Sequence, residues 1–109
     1  QLKSAMASSE EMNEIFSSSE LDQKARRLNV VQPRLTSSLL RQTPATVVVI
    51  FIVDENGRVQ DPKVQRTTNP AFDRSALAAI RQWKFEPAKA QGRPVSSRLR
   101  QSFSFENNN

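Results

Sequence analysis

The chain has 109 residues and a mass of 12.3 kDa, which bounds it to one domain near the small end of what a single hydrophobic core sustains. It contains no cysteine, histidine or tyrosine, so disulfides, imidazole or thiolate catalysis and cysteine or histidine metal sites are excluded together. The net charge of +5 is uneven: residues 1–23 carry one lysine against five acidic residues, and residues 24–109 carry fifteen Lys/Arg against six. A basic domain behind an acidic leader fits anionic partners or a solvated, solubilising surface. The cations are scattered singly rather than gathered in a stripe, so no nucleic-acid partner is expected. Neither enzyme activity nor a cofactor is expected. The missing cysteine suits cytosol and periplasm equally.

Residues 1–19 are rich in serine. Ser8-x-x-Glu11 has the form of a capping box for a short helix presenting Met12, Ile15 and Phe16; the other reading is a linker remnant. Ser17-Ser18-Ser19 breaks any such helix, and the domain is placed at residues 20–106. From Glu20 to Val31 an extended segment is expected to lie on the domain through Leu21, Leu28, Val30 and Val31. Gln32-Pro33-Arg34-Leu35 leads into a short helix from about Thr36 to Arg41, with Thr36 as N-cap and Leu35, Leu39 and Leu40 on its apolar side.

Thr46 to Val53 is an unbroken β-branched and aromatic run, the strongest strand signal in the chain. Asp54-Glu55-Asn56-Gly57 follows, and Asn-Gly between apolar runs predicts a hairpin with positive φ available at both residues. A second strand is expected from Arg58 to about Thr67. Its Pro62 lacks a ladder N–H and so belongs at a bulge or a sheet edge.

Asn69-Pro70 opens the main helix, Asn69 capping it and Pro70 preset for the first turn. Phe72, Ala76, Leu77, Ile80 and Trp83 share one helical face, which assigns Trp83 to the core. Arg81 and Lys84 are expected near the negative end of the helix dipole, and Glu86-Pro87 marks the latest point at which the helix stops. After the Gln91-Gly92-Arg93-Pro94 turn comes a last strand. In it Val95, Leu99, Phe103 and Phe105 share one parity, and Ser96, Arg98, Arg100, Ser102 and Ser104 share the other, apolar in and polar out. The tail from Asn107 to Asn109 is polar.

Val49 to Val59 (Val-x-Phe-x-Val-x-x-x-Gly-x-Val), Phe72-Asp73-x-x-Ala76-Leu77, Ile80-Arg81-x-Trp83-x-Phe85-x-Pro87 and Gly92-x-Pro94-Val95 together resemble the C-terminal domain of the TonB energy-transducer family, over roughly residues 20 to 106. The resemblance implies an α+β fold: a small three-stranded antiparallel sheet packed by one main helix, with the short helix before the first strand. It implies a periplasmic domain of a protein anchored in the inner membrane by an N-terminal helix and linker outside this sequence. The implied partners are outer-membrane TonB-dependent transporters, with ExbB and ExbD reached through that N-terminal region. The implied task is transmission of proton-motive energy for nutrient or siderophore uptake. An envelope domain of the same fold that binds peptidoglycan or another periplasmic protein is the alternative, and an open strand edge also suits a homodimer.

In resembling domains the exposed edge of the last strand accepts the transporter peptide as an additional strand. Carried over to this sequence, the peptide site is Ser96, Arg98, Leu99, Arg100, Gln101, Ser102 and Ser104, flanked by Gln32, Pro33 and Arg34. The sequence keeps Gln32-Pro33 and has Leu35-Thr36 where the family commonly has Tyr-Pro. The opposite reading of the edge is one blunted by its own arginines against aggregation. Asp54, Glu55 and Asp61 surround the Asn-Gly turn without the ligand spacing of a calcium loop, so no metal is expected and Asp54 is assigned to turn chemistry.

Overall fold

The computed structural model describes residues 15–16 and 21–106. Element order is β1 (Ile15–Phe16), β2 (Arg26–Asn29), α1 (Ser37–Leu40), β3 (Ala45–Val53), β4 (Val59–Thr67), a 3₁₀ turn at Pro70–Phe72, α2 (Asp73–Ile80), β5 (Lys84–Glu86), β6 (Ala88–Ala90) and β7 (Arg93–Phe105). The fold is α+β, as expected, and α2 is the main helix. The sheet is larger than the expected three strands. Its order is β1-β7-β3-β4 with β6 paired to β7, and β2 and β5 form a separate two-stranded sheet.

The Thr46–Val53 run is the centre of the sheet, paired antiparallel to β4 on one side and β7 on the other. Every residue of β3 is buried or half-buried, which is why its sequence does not alternate. Ala45, Val47, Val49, Phe51 and Val53 point into the core against Phe72, Ala76 and Ile80 from the helical layer. Six of the seven aromatic side chains form a continuous chain through this core. Phe51 meets Phe85, Phe85 meets Trp83, and Trp83 packs edge-on against Phe103 at 5.7 Å; Phe103 meets Phe105, and Phe105 meets Phe72 at 4.8 Å. Offset and edge-to-face geometry of this kind adds about 0.5–1.5 kcal/mol per pair beyond area burial.

Local signals act as their chemistry requires. Thr36 Oγ1 accepts from the Leu39 N–H at 3.2 Å, and Asn69 Oδ1 accepts from the Ala71 N–H at 3.0 Å, each satisfying an orphan donor of a helix start. Pro62 lies at both places allowed to it. β4 is an edge strand, and its register shifts between the Ile50–Lys63 and Ile52–Gln60 pairs, leaving Asp61 at φ 57° in the bulge.

Several expectations are corrected. The hairpin after β3 uses positive φ only at Gly57. Asp54 N–H donates to the Arg58 carbonyl and Gly57 N–H to the Asp54 carbonyl, both at 2.9 Å, so the loop is three residues closed by a left-handed glycine. α2 ends at Ile80, three residues short of Trp83. The chain tightens there through i→i−3 bonds from Gln82 to Ala79 and from Trp83 to Ile80. Trp83 is nonetheless buried, 4% exposed, so the core assignment stands while the helical route to it does not. Lys84 belongs to β5 rather than the helix end. Leu28 is 67% exposed and Leu40 36%, so neither anchors its segment; Ala25, Val31, Leu35 and Leu39 do. Ile15–Phe16 is a strand, and the rest of the leader expectation, with the tail from Asn107, lies outside the described residues.

Candidate functional site

The site is built on β7. From Ser97 to Phe105 this strand pairs with β3, residue for residue, Val53 opposite Ser97 and Ala45 opposite Phe105. On its other side Ile15 and Phe16 pair with Ser96 and Ser97 in parallel. The Ala88–Ala90 strand pairs with Arg93 to Val95 across a two-residue turn. In that turn Gln91 and Gly92 both have positive φ, 54° and 75°, the backbone of a type I′ hairpin. Among the described residues, Arg98 to Phe105 therefore has a strand on one side only. That stretch is an open edge, offering main-chain donors and acceptors to whatever extended chain lies beside it.

The expected residues divide into three groups. Arg98, Leu99, Arg100, Gln101, Ser102 and Ser104 lie along the open edge, with Arg98, Arg100, Ser102 and Ser104 exposed and Leu99 and Gln101 half-buried. Gln101 Nε2 donates to the Ser102 carbonyl at 2.8 Å, which holds that side chain along its own strand. Ser96 departs from its outward parity: it is 4% exposed and its backbone position is taken by β1.

Gln32, Pro33 and Arg34 are elsewhere. Among the described residues no hydrogen bond joins them to β7. Gln32 and Arg34 instead line an open groove between the α1 segment and α2, facing Arg74, Ser75, Ala78 and Gln82. The segment is pinned where Trp83 Nε1 donates to the Val31 carbonyl at 2.9 Å. Since Trp83 packs on Phe103, this indole links the 31–35 segment to β7, beside the packing of Val31 and Leu35 on the core. The arginine and amide lining contributed by α2 and the turn after it carried no motif of its own and was invisible in the sequence; so was β1, a two-residue strand.

Two carboxylates have displaced pKa values, and both are structural. Burial works against the Asp54 charge. The Arg58 N–H, the Gln60 amide and the Asn56 N–H together outweigh it and hold the carboxyl below its ordinary range, with bonds of 2.9–3.0 Å. The Arg26 guanidinium, which donates from two nitrogens to Glu86 Oε1, holds that carboxyl below its ordinary range as well. This pair ties β2 to β5 at the Arg26–Glu86 rung. Neither carboxylate adjoins the open edge.

Residues 38–106 match the family described as Gram-negative bacterial TonB protein C-terminal. The chain belongs to the TonB C-terminal family. Protein TonB from Xanthomonas campestris pv. campestris, strain B100, is 35% identical over 60 residues, which is 54% of this chain and 27% of that protein; the protein from a second strain of the same pathovar gives the same figures. The match thus spans about a quarter of the length of those relatives. The solution NMR structure of the Pseudomonas aeruginosa TonB C-terminal domain superposes with a TM-score of 0.65 at 24% identity, covering 81% of this chain and 91% of that one. That likeness is one of fold, and the α+β arrangement of this TonB C-terminal domain agrees with it.

Proposed function

We propose that this domain grips a short peptide of outer-membrane TonB-dependent transporters as an added strand along Arg98 to Phe105. Through that joint it would pass inner-membrane proton-motive energy to nutrient or siderophore uptake. The observation that carries the reading is the open edge: eight consecutive residues of β7 paired, among the described residues, on one side only. Strand addition takes its affinity from main-chain hydrogen bonds and its selectivity from alternate side chains. A ladder loaded along its length yields only when several bonds break together, which suits a mechanical coupling rather than a chemical step. In this reading the domain works in the periplasm, is not an enzyme, and reaches ExbB and ExbD through an inner-membrane anchor on the same polypeptide.

Gln32, Pro33 and Arg34 serve the peptide at its flank. They sit one indole away from Phe103, where Arg34 is free to meet residues of the partner outside the ladder. An NMR titration with a transporter-derived peptide tests the proposal. Amide shifts should concentrate on Arg98 to Phe105, and Arg98→Ala and Arg100→Ala should weaken binding modestly, more at low salt. Shifts confined to α2 around Arg74 and Arg81, with the β7 amides unmoved, would overturn it.

A further inference from the structure

The sheet face turned away from α2 carries cations around an aliphatic stripe. On three successive rungs Ile52 lies between Gln60 and Arg98, Ile50 between Lys63 and Arg100, and Val48 between Arg66 and Ser102. Directly paired residues of an antiparallel ladder project to the same side, and alternate positions project to the other. Lys63 and Arg66 on β4 and Arg98 and Arg100 on β7 therefore border the stripe in two rows. With strands about 4.8 Å apart the rows stand about 10 Å from each other. All four cations are exposed, Ile50 and Ile52 are half-buried, and Val48 at the end of the stripe is buried. None of the nine rung positions is acidic, and none of the four cations makes an ion pair among the described residues.

We infer that this face docks on an anionic phospholipid surface. Charge complementarity selects an anionic partner, and the shape selects among anionic partners. The groove between the α1 segment and α2 lies in the helical layer, away from this face. A headgroup plane is laterally adjustable and requires no groove. Four flexible basic stems reach phosphates at the headgroup level while Ile50 and Ile52 between them rest at the apolar boundary. A duplex nucleic acid would favour an unbroken basic track, where this face places aliphatic residues between its two basic rows. The surface meets the peptide edge at Arg98 and Arg100 and extends away from it across β3 to Lys63 and Arg66. It uses side chains rather than main-chain groups, and Lys63 and Arg66 lie two strands from the open edge.

Co-sedimentation of the 109-residue chain with lipid vesicles is the test. The chain should bind vesicles of mixed phosphatidylglycerol and phosphatidylcholine, and not vesicles of phosphatidylcholine alone. Lys63→Gln with Arg66→Gln should weaken binding roughly thirtyfold, the loss expected of two cations at an anionic surface. The exchange Lys63→Arg with Arg66→Lys should retain it. Arg41→Gln with Arg81→Gln removes equal charge from the ends of α1 and α2, in the helical layer, and should cost less than about threefold. Equal losses from the two neutralised pairs would reduce the effect to net charge and overturn the inference. Absence of binding to the anionic vesicles, or tighter binding to a DNA duplex than to them, would overturn it too. The peptide titration is unaffected by the β4 pair, so the two proposals fail separately.

Discussion

At Gly57 a missing Cβ decides how the first hairpin meets the strand after the helix. A Cβ built there would lie 2.0 Å from the Phe85 carbonyl oxygen, and the residue already sits at φ 80°. The close approach lets the Phe85 N–H donate to the Gly57 carbonyl at 2.9 Å. Gly57→Ala faces both a clash with main chain, which has no rotamer to move, and an unfavourable φ. It should destabilise by more than about 1 kcal/mol, read as a lower urea midpoint at unchanged slope; an unchanged midpoint would show that the hairpin and β5 move apart freely. Trp83 is the second residue of this kind. Trp83→Ala should cost about 3–5 kcal/mol for the emptied core. Trp83→Phe keeps an aromatic ring but leaves the Val31 carbonyl without the indole donor, adding about 1 kcal/mol for that bond to the smaller packing loss. A urea melt of Trp83→Ala within about 1 kcal/mol of the parent chain would contradict its place in the core.

At the scale of elements, β1 and β7 set a competition that a measurement can expose. Ile15–Phe16 occupies Ser96 and Ser97 in the same backbone manner that an incoming peptide would use at Arg98 to Phe105. Deleting residues 1–20 should lengthen the available edge by two residues, and a peptide long enough to extend onto Ser96 and Ser97 should bind about threefold tighter or more, the gain of about one added ladder hydrogen bond. Calorimetry showing equal affinity for the two lengths of chain would mean that the peptide does not compete with β1. The elements legible in the sequence were those with a strong local cause: β3 from its apolar run, α1 from its cap, β4 from its proline at the bulge, and the C-terminal part of β7 from its parity; Asn69 was read as opening the main helix, whereas it caps the 3₁₀ turn ahead of it. The illegible ones were β1, β2, β5 and β6, two to four residues each. Such short strands have no period to detect, and pairing with distant chain decides them. The candidate site divides the same way. The open edge of β7 was implied by the family resemblance, since parity sorts the faces of a strand and not the edges of a sheet, whereas the withdrawal of Ser96 and the placing of Gln32 and Arg34 on a groove with α2 depend on tertiary contacts alone.

Across the whole molecule the charge imbalance and the two shifted carboxylates give stability a common direction with pH. Fifteen cations against six acidic residues over 24–109 mean that each protonated carboxylate increases self-repulsion in the compact state. Asp54 and Glu86 add a specific contribution, because both are held below their ordinary values of 3.8 and 4.5 in the folded chain. A folded pKa below the unfolded one stabilises fully above the unfolded value, and that stabilisation is lost as the pH falls through the folded value. Urea midpoints should therefore be flat from neutrality down to these ordinary values and fall steeply below them. Asp54→Asn combined with Glu86→Gln keeps an acceptor oxygen at each position but removes the titration. The double variant should start less stable at neutral pH and lose less on acidification, so that the two curves converge toward low pH. Salt should shrink the Glu86 part, since Arg26 is exposed and its pairing is screened. The Asp54 part should remain, because main-chain N–H groups supply it. Curves that run parallel to the acid limit would show that neither carboxylate contributes through its charge, and that the acid sensitivity belongs to self-repulsion alone.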